Sequence, residues 1–411
     1  MRKKFDFLNI LKNKLFPFYR TKEAKLLFFI LQENGKQTSK FVGGCVRKYF
    51  SNDLIDDLDI ATELPPEIVK DKIKSHNLKV YDTGIEHGTV TVIINKKKFE
   101  ITTLRRDVKT FGRHAEVSFT NDWFEDSKRR DFTINSIYLD HKGNVFDPHN
   151  GMTDLKNKKI RFIGNIDQRI EEDYLRILRY LRFLIYYNSE IEKYNIKKIK
   201  LNLNNLQKIS RERIYDELSK IIKINNFKKI SKNADLLEIF NLMFPELKYT
   251  SRLTKEFEYS IDQDLILSII LLDESMEFEY FCYKYKVSNK FKHKLKLFHM
   301  SLLESKKNKN FFNKDLSKNI YLKGKKFMLE FNKLFYFLTK HHTLQKYKLV
   351  LKEINNFQIP HFKYDGNFLL SKGFSEGKNL GELIKKIEKA WVDNNFHLSD
   401  LEVQNLLEKK N

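Results

Sequence analysis

At 411 residues the chain is long enough for about two to four compact units, and with 41% apolar and 14% aromatic residues it is globular rather than disordered. Lys plus Arg exceed Asp plus Glu by 77 to 54, a formal charge of +23, which favours a polyanionic partner such as nucleic acid, although a chain-wide enrichment in Lys, Asn and Ile accounts for the same excess as plain composition. No run approaches the ~18 consecutive apolar residues of a membrane span, and Cys45 and Cys282 are too few for a disulfide framework or a zinc site, so a cytoplasmic protein with no membrane partner is expected.

The first twenty residues, MRKKFDFLNILKNKLFPFYR, are basic, lack Ser, carry Asp6 and contain no signal-type apolar stretch; they are read as an N-terminal arm. Residues 21–33 have helical spacing, and SKFVGG at 39–44 reads as a short strand ending in a Gly-Gly turn from which a helix starts. DLDIAT at 57–62 alternates as a strand, Pro65 and Pro66 open a helix, and HGTVTVII at 87–94 with FEITTL at 99–104 reads as a hairpin. From about residue 165 the strand signals stop and apolar residues recur at helical spacing; Asn- and Lys-rich breaks near 189–205, 223–233 and 304–320 are candidate junctions.

Asp57 and Asp59 flank Leu58, so the two-residue period of a strand sends both carboxylates to one face while Leu58 and Ile60 turn to the core. Two like charges so placed call for a cation, and hard oxygen ligands in this number suit Mg²⁺, which takes one or two carboxylates together with phosphates and water. By itself Asp-x-Asp is weak, since a solvated strand end explains most such matches. Glu100, with Phe99 and Ile101 on the opposite face, is a candidate third carboxylate, the alternative being an exposed strand residue. Three carboxylates would serve two metal ions, one activating an attacking hydroxyl and one neutralising a leaving pyrophosphate. Gly43 and Gly44 precede a helix whose N-terminal N–H groups can cradle a triphosphate, with Arg47 one turn along.

FVGGCVRKYF, DDLDIAT, FEITTLRRDVKTFGRHAEVSF, RRDFTINSIY, VFDPHNGMTDLKNKKIRFIG and EEDYLRILRYLRF occur here in the order in which they stand in the class II tRNA nucleotidyltransferases, a family that includes bacterial poly(A) polymerases and whose head belongs to the DNA polymerase β superfamily. The chain resembles that family densely over about residues 35–220. The resemblance implies metal ligation by Asp57 and Asp59, a catalytic role for Glu100, and nucleotide contacts from Gly43, Gly44, Arg47 and Arg130. It makes Arg105–Val117, with Arg105, Gly112, Arg113 and His114, a mobile loop that helps the site switch from adding C to adding A, where an ordinary basic surface loop is the alternative. Lys48 stands where the family usually has Asp after the GGxVR arginine.

Glu172, Asp173 and Arg176 form E-D-x-x-R, and Arg179 and Arg182 continue a helical stripe at three-residue steps. A salt-bridged neck helix is one explanation; the resemblance implies a base-selecting element. Cytosine and adenine both present an amino donor beside a ring-nitrogen acceptor, which a carboxylate beside a guanidinium, Asp173 with Arg176, would match while rejecting U and G. SRERIYDELSKI at 210–221, with Arg213 and Glu217 in i, i+4 register, is taken as structural. Lysines 284, 286, 290, 292, 294 and 296, interleaved with Tyr283, Tyr285, Phe291 and Phe298, suit RNA contact or, equally, a core helix with a solvated lysine face. LLSKGFSEGKNLGELIKKIEKAWVDNNF near the end resembles the tail of one branch of the family, and its helix is expected to pack or to approach RNA phosphates.

The expected architecture is α+β: an α/β head over 21–155 with a mixed sheet of about five strands, then an all-helical neck (156–230), body (231–330) and tail (331–411), the strand count and unit names being what the resemblance implies. The expected activity is metal-assisted, template-independent addition of C-C-A to the 3′ end of tRNA from CTP and ATP, with Mg²⁺ as cofactor. Poly(A) synthesis, A-only addition and, from another class, an inactive RNA-binding module remain alternatives at this stage.

Overall fold

The computed structural model describes residues 15–111, 114–224 and 227–408. Gly112 and Arg113 of the expected mobile loop lie outside them, as do residues 1–14 of the N-terminal arm. The chain divides into two compact units, residues 1–243 and 244–411.

The first unit opens with α1 (Lys22–Ile30), capped by the Thr21 side chain, which accepts from the backbone N–H of Ala24. The helix stops before Gln32 and Glu33, which pair as β1 with β2 (Lys36–Gln37) instead of extending it to residue 33 as the spacing predicts. β3 (Ser39–Val42) leads through Gly43 into α2 (Gly44–Phe50); β4 (Leu58–Thr62) is followed by α3 (Pro66–Ser75), then by β5 (Val80–Gly84), β6 (Thr89–Ile94) and β7 (Lys97–Thr103). Asn95 and Lys96, both with positive φ, make the tight turn between β6 and β7. After the hairpin of β8 (Arg105–Phe111) and β9 (His114–Phe119) come α4 (Trp123–Lys128), β10 (Tyr138–Leu139), β11 (Val145–Phe146) and α5 (Gly151–Lys156).

Seven strands form one sheet in the order β11-β10-β3-β4-β7-β6-β5, where about five were expected. β10 and β11 have two residues each, too few to carry a periodic signal, and β5 is largely exposed, which removes the alternation that would mark it. Only β4 and β7 run parallel; their neighbours are antiparallel. Phe41, Ile60, Phe99 and Ile101 on the three central strands are buried, and Cys45 and Val46 of α2 are buried with them, so the sheet holds the turn at 43–44 and the ends of β4 and β7 rigidly. The segment expected to be a loop, 105–117, is a two-stranded hairpin of its own.

From α6 (Ile166–Glu172) onward the chain is helical: α7 (Leu175–Tyr187), α8 (Lys193–Asn202), α9 (Arg211–Ile222) and α10 (Ala234–Met243) complete the first unit. The second unit contains α11 (Gln263–Leu271), α12 (Glu277–Lys284), α13 (Asn289–Lys307), α14 (Leu316–Lys323), α15 (Lys325–Leu338), α16 (Leu344–Asn356), α17 (Gly366–Ser371), α18 (Lys378–Asp393) and α19 (Asp400–Glu408). The expected junction at 330/331 falls inside α15, where Phe331 is buried, and that at 230/231 falls inside a 3₁₀ turn, Phe227–Lys232. The C-terminal motif packs as a core in which Tyr364, Leu369, Leu383, Ile387 and Trp391 are buried together. No helix among the described residues is long and apolar enough to cross a membrane.

Candidate active site

Gly43 has φ +72°, a backbone state that L-residues with side chains rarely adopt, and a β-carbon there would meet Asp59 Oδ2 at 3.7 Å and Arg130 Nη1 at 3.9 Å. A β-carbon on Gly44 would meet the same carboxylate oxygen at 3.9 Å. Two bare glycines therefore hold open the space between the first turn of α2, the Asp59 carboxylate and the Arg130 guanidinium. Arg130 is held there by Asp126, a carboxylate buried to 0% exposure that accepts from Arg130 Nη2 at 3.1 Å, Arg129 Nε at 2.9 Å and the Tyr138 hydroxyl at 2.7 Å. Burial opposes the Asp126 charge, but the two guanidinium groups outweigh it and hold the carboxyl well below its usual range. The Arg105 backbone N–H also donates to Asp126, at 3.3 Å, and its guanidinium donates to the His87 carbonyl, so this end of the β8–β9 hairpin is tied to the same anchor.

The parallel register sets Asp59 directly beside Glu100 on the neighbouring strand, and Asp57 immediately precedes β4 rather than lying within it. Burial raises the pKa of Asp59, and the like charges of Glu100 and Asp57 add to the rise, which reaches about 6 against the opposing pull of Arg130 and Arg47. Carboxylates that repel one another around a half-buried member are what a divalent cation relieves, so Asp57 and Asp59 fit a divalent metal ion as ligands. The Glu100 carboxylate also accepts from Lys98 Nζ at 2.5 Å, and among the described residues no three His, Cys, Asp or Glu side chains converge as a preformed metal cage. Lys48, which replaces the family's usual Asp, forms an ion pair with Asp56.

Arg47 is buried in α2, donates to Asn135 Oδ1, and lies over the ring of Phe183 at 4.6 Å. Arg182 lies over the same ring at 4.3 Å and donates to Glu217 at 2.8 Å. Arg179 pairs with Asp131 at 2.6 Å, and Asp131 also accepts from Asn135 Nδ2 at 2.8 Å. The RRDFTIN segment and the arginine stripe of α7 thus form one network with Arg47, joining the head motifs to the neck.

The E-D-x-x-R residues are not on one helix. Glu172 ends α6, Asp173 is extended with φ −155° and ψ 105°, and α7 begins at Leu175. Nor do the Asp173 and Arg176 side chains pair, although the Arg176 backbone N–H donates to the Asp173 carbonyl at 3.0 Å. Asp173 accepts from Arg213 Nη2 of α9 at 2.7 Å and from the Leu175 N–H at 3.1 Å, whereas Arg176, 9% exposed, bonds Glu172 and the carbonyls of Arg169 (2.7 Å) and Arg129 (3.2 Å). Arg213 and Glu217, expected to support each other along α9, reach instead to Asp173 and Arg182 on the facing segment. Asp173 sits in the break after α6, where its charge also acts on Arg179 of the stripe.

In the second unit Tyr285, Phe291 and Phe298 are buried, while Lys284 pairs with Glu246 at 2.5 Å and Lys294 with Glu330 at 2.8 Å. Most of the aromatic residues in that basic stretch are therefore core, although Tyr283 is 81% exposed. Motif reading missed Asp126, Lys98 and Phe183, and it took Arg213 as structural only. Asp126 and Lys98 carried a signal, Asp126 three and four residues before Arg129 and Arg130 at the end of a helix and Lys98 two residues before Glu100 on a strand; the contacts of Phe183 and Arg213 are distant in sequence.

Residues 39–161 match the poly A polymerase head domain, and residues 190–251 match the probable RNA and SrmB-binding site of polymerase A. The chain is 32% identical over 381 residues to the human mitochondrial CCA tRNA nucleotidyltransferase 1, covering 90% of this chain and 86% of that protein. It is 32% identical over 373 residues to a CCA-adding enzyme of Streptococcus uberis, covering 86% and 88%. The Bacillus stearothermophilus CCA-adding enzyme, solved in complex with CTP, shares the fold with a TM-score of 0.71 at 22% identity, over 94% of this chain and 97% of that one. The motifs gathered around Gly43, Asp59 and Glu100 and the near full-length likeness to these proteins agree: the chain belongs to the family of CCA-adding tRNA nucleotidyltransferases.

Proposed function

We infer that this protein adds C-C-A to the 3′ end of tRNA from CTP and ATP, the tRNA 3′-hydroxyl attacking the nucleotide α-phosphate and pyrophosphate leaving. The observation that carries this reading is the Asp59 carboxylate over the Gly43-Gly44 turn and in register with Glu100, in a chain 32% identical to CCA-adding enzymes over most of its length. Asp57 and Asp59 would hold Mg²⁺, which when bound supplies charge neutralisation at the phosphates and a more acidic attacking hydroxyl. The open N-terminal turn of α2 offers backbone N–H groups to the triphosphate, and Arg130, fixed by Asp126, supplies a guanidinium beside it. Arg47, Arg179 and Arg182 tie the head to α7 and so fix how far the base reaches into the neck.

Base choice, in the same proposal, falls to the segment around Asp173. Asp173 with Arg213 offers an acceptor beside donors, the pattern that cytosine and adenine share and that uracil and guanine reverse, while Arg176 frames it through Glu172. The buried free thiols Cys45 and Cys282 suit the reducing cytoplasm in which we place the protein.

The head family's description names poly A polymerase, which makes polyadenylation the second reading. Incubating the protein with Mg²⁺, each NTP and tRNA ending at the discriminator base separates the two. Two C residues followed by one A is the expected product; A tracts on such tRNA or on unstructured RNA establish polyadenylation, and no incorporation with any NTP removes both.

A further inference from the structure

We propose that Lys98 is a built-in counter-cation of the carboxylate cluster, which holds Glu100 away from a divalent ion and so sets how tightly the site takes that ion. Lys98 and Glu100 stand two residues apart on β7, hence on one face, and pair at 2.5 Å. The same face of β7 borders β4, where Asp59 lies opposite Glu100. The charges of Asp57 and Asp59 as well as Glu100 act on the Lys98 ammonium, which therefore belongs to the whole cluster. Its neighbour Lys97 is committed elsewhere, to Glu23 at 2.7 Å.

The cations on the other side of Asp59 are fixed by Asp126, Tyr138 and Asn135, whereas the Lys98 side chain, among the described residues, bonds a carboxylate of the cluster itself. Its pair with Glu100 is half exposed on both partners, at 55% and 42%, and such pairs exchange readily. With Glu100 turned to Lys98, a third carboxylate is withheld from the site, in keeping with the absence of a three-ligand cage among the described residues. An ion that draws on Glu100 must displace an ammonium group from it and also tolerate that group nearby. The proposal rests on the reading of Asp57 and Asp59 as the metal ligands.

The test is titration of the full-length protein with Mn²⁺ in the absence of nucleotide, by calorimetry, with bound Mn²⁺ counted by electron paramagnetic resonance. Lys98→Met is expected to bind Mn²⁺ about three- to tenfold more tightly than the wild type, with an unchanged melting temperature. In a Glu100→Gln background the same replacement is expected to gain less than about twofold, because the pair is already gone. Equal or weaker binding by Lys98→Met overturns the proposal, and so does an undiminished gain in the Glu100→Gln background, which would assign the effect to overall charge. Asp59→Asn separates this from the underlying reading: if it retains wild-type Mn²⁺ binding, the ligand assignment itself fails.

Discussion

Arg213 of α9 donates to Asp173 at 2.7 Å, binding a later helix of the neck to the one extended residue between α6 and α7. Both side chains are about one fifth exposed, so the pair sits at a surface that a ligand can reach yet is shielded enough to matter. Base selection is accordingly expected to depend on Arg213 as well as on Asp173. Asp173→Ala should cost roughly ten- to hundredfold in discrimination against UTP and GTP, as the loss of a bidentate base contact does. Arg213→Met should lower discrimination by roughly tenfold. The measurement is kcat/KM for all four nucleotides on tRNA ending in C-C and on tRNA lacking all three residues. Wild-type preference in both variants would make this segment a structural neck.

Arg176 is expected to behave differently. It is nearly buried and spends its donors on Glu172 and two backbone carbonyls, so Arg176→Ala leaves those acceptors short of a donor. A loss of about 2–4 kcal/mol in unfolding free energy is expected for breaking such a network from one side. Denaturant unfolding measures it. Full stability with lost selectivity for C and A would show that Arg176 turns to the base.

Asp59→Ala and Asp57→Ala should abolish transfer while leaving tRNA affinity within a few-fold. The carboxylates act where phosphoryl charge develops, whereas the RNA is held by distributed Lys and Arg contacts. Turnover assays and filter binding on the same preparations check both halves. Turnover above roughly one tenth of wild type in either variant would remove that carboxylate from the chemistry.

Affinity for tRNA should fall steeply with salt if the +23 charge serves a rigid polyanion. Each neutralised phosphate releases counterions, so contact with several phosphates weakens binding by more than about tenfold between about 50 and 200 mM salt. A flat dependence would leave the charge as composition alone.

His342 gives the second unit a pH dependence. Its ring is buried, bonded through Nε2 to Asn332 at 2.7 Å and packed against Phe312 and Phe335. Burial, with Lys346 and Lys255 adding to it, pushes its pKa down from 6.5 to about 4. Between those values the unfolded chain binds a proton that the folded chain refuses, so stability is full above pH 6.5 and is lost as pH falls towards 4. The loss from this one group is on the order of 3 kcal/mol. His342→Gln should flatten the slope of unfolding free energy across that window, and an unchanged slope would assign the dependence to other groups.

The elements that carry the candidate catalytic residues were legible in the sequence because their parts are local. A Gly-Gly turn, a strand carrying Asp59 with Asp57 just before it and a third carboxylate on a hairpin strand each follow from short-range geometry, and the sheet sets Asp59 and Glu100 in register. The helical character of everything after about residue 165 was likewise carried by periodicity. Tertiary structure alone decided the side-chain partners. Asp173 pairs with Arg213, forty positions away, and Glu217 with Arg182, because α9 lies against α7. The pairs Glu100–Lys98 and Asp126–Arg130, by contrast, lie two and four residues apart and are local, and the fold decided that Asp126 is fully closed to solvent. The short strand β10 pairs with the edge of β3, and β11 in turn with β10, pairings that two-residue strands do not signal in sequence. Sequence spacing sets which face of an element a residue occupies; which charge it meets depends on what packs against that face, and a charge leaving water takes the nearest opposite partner whatever its distance along the chain.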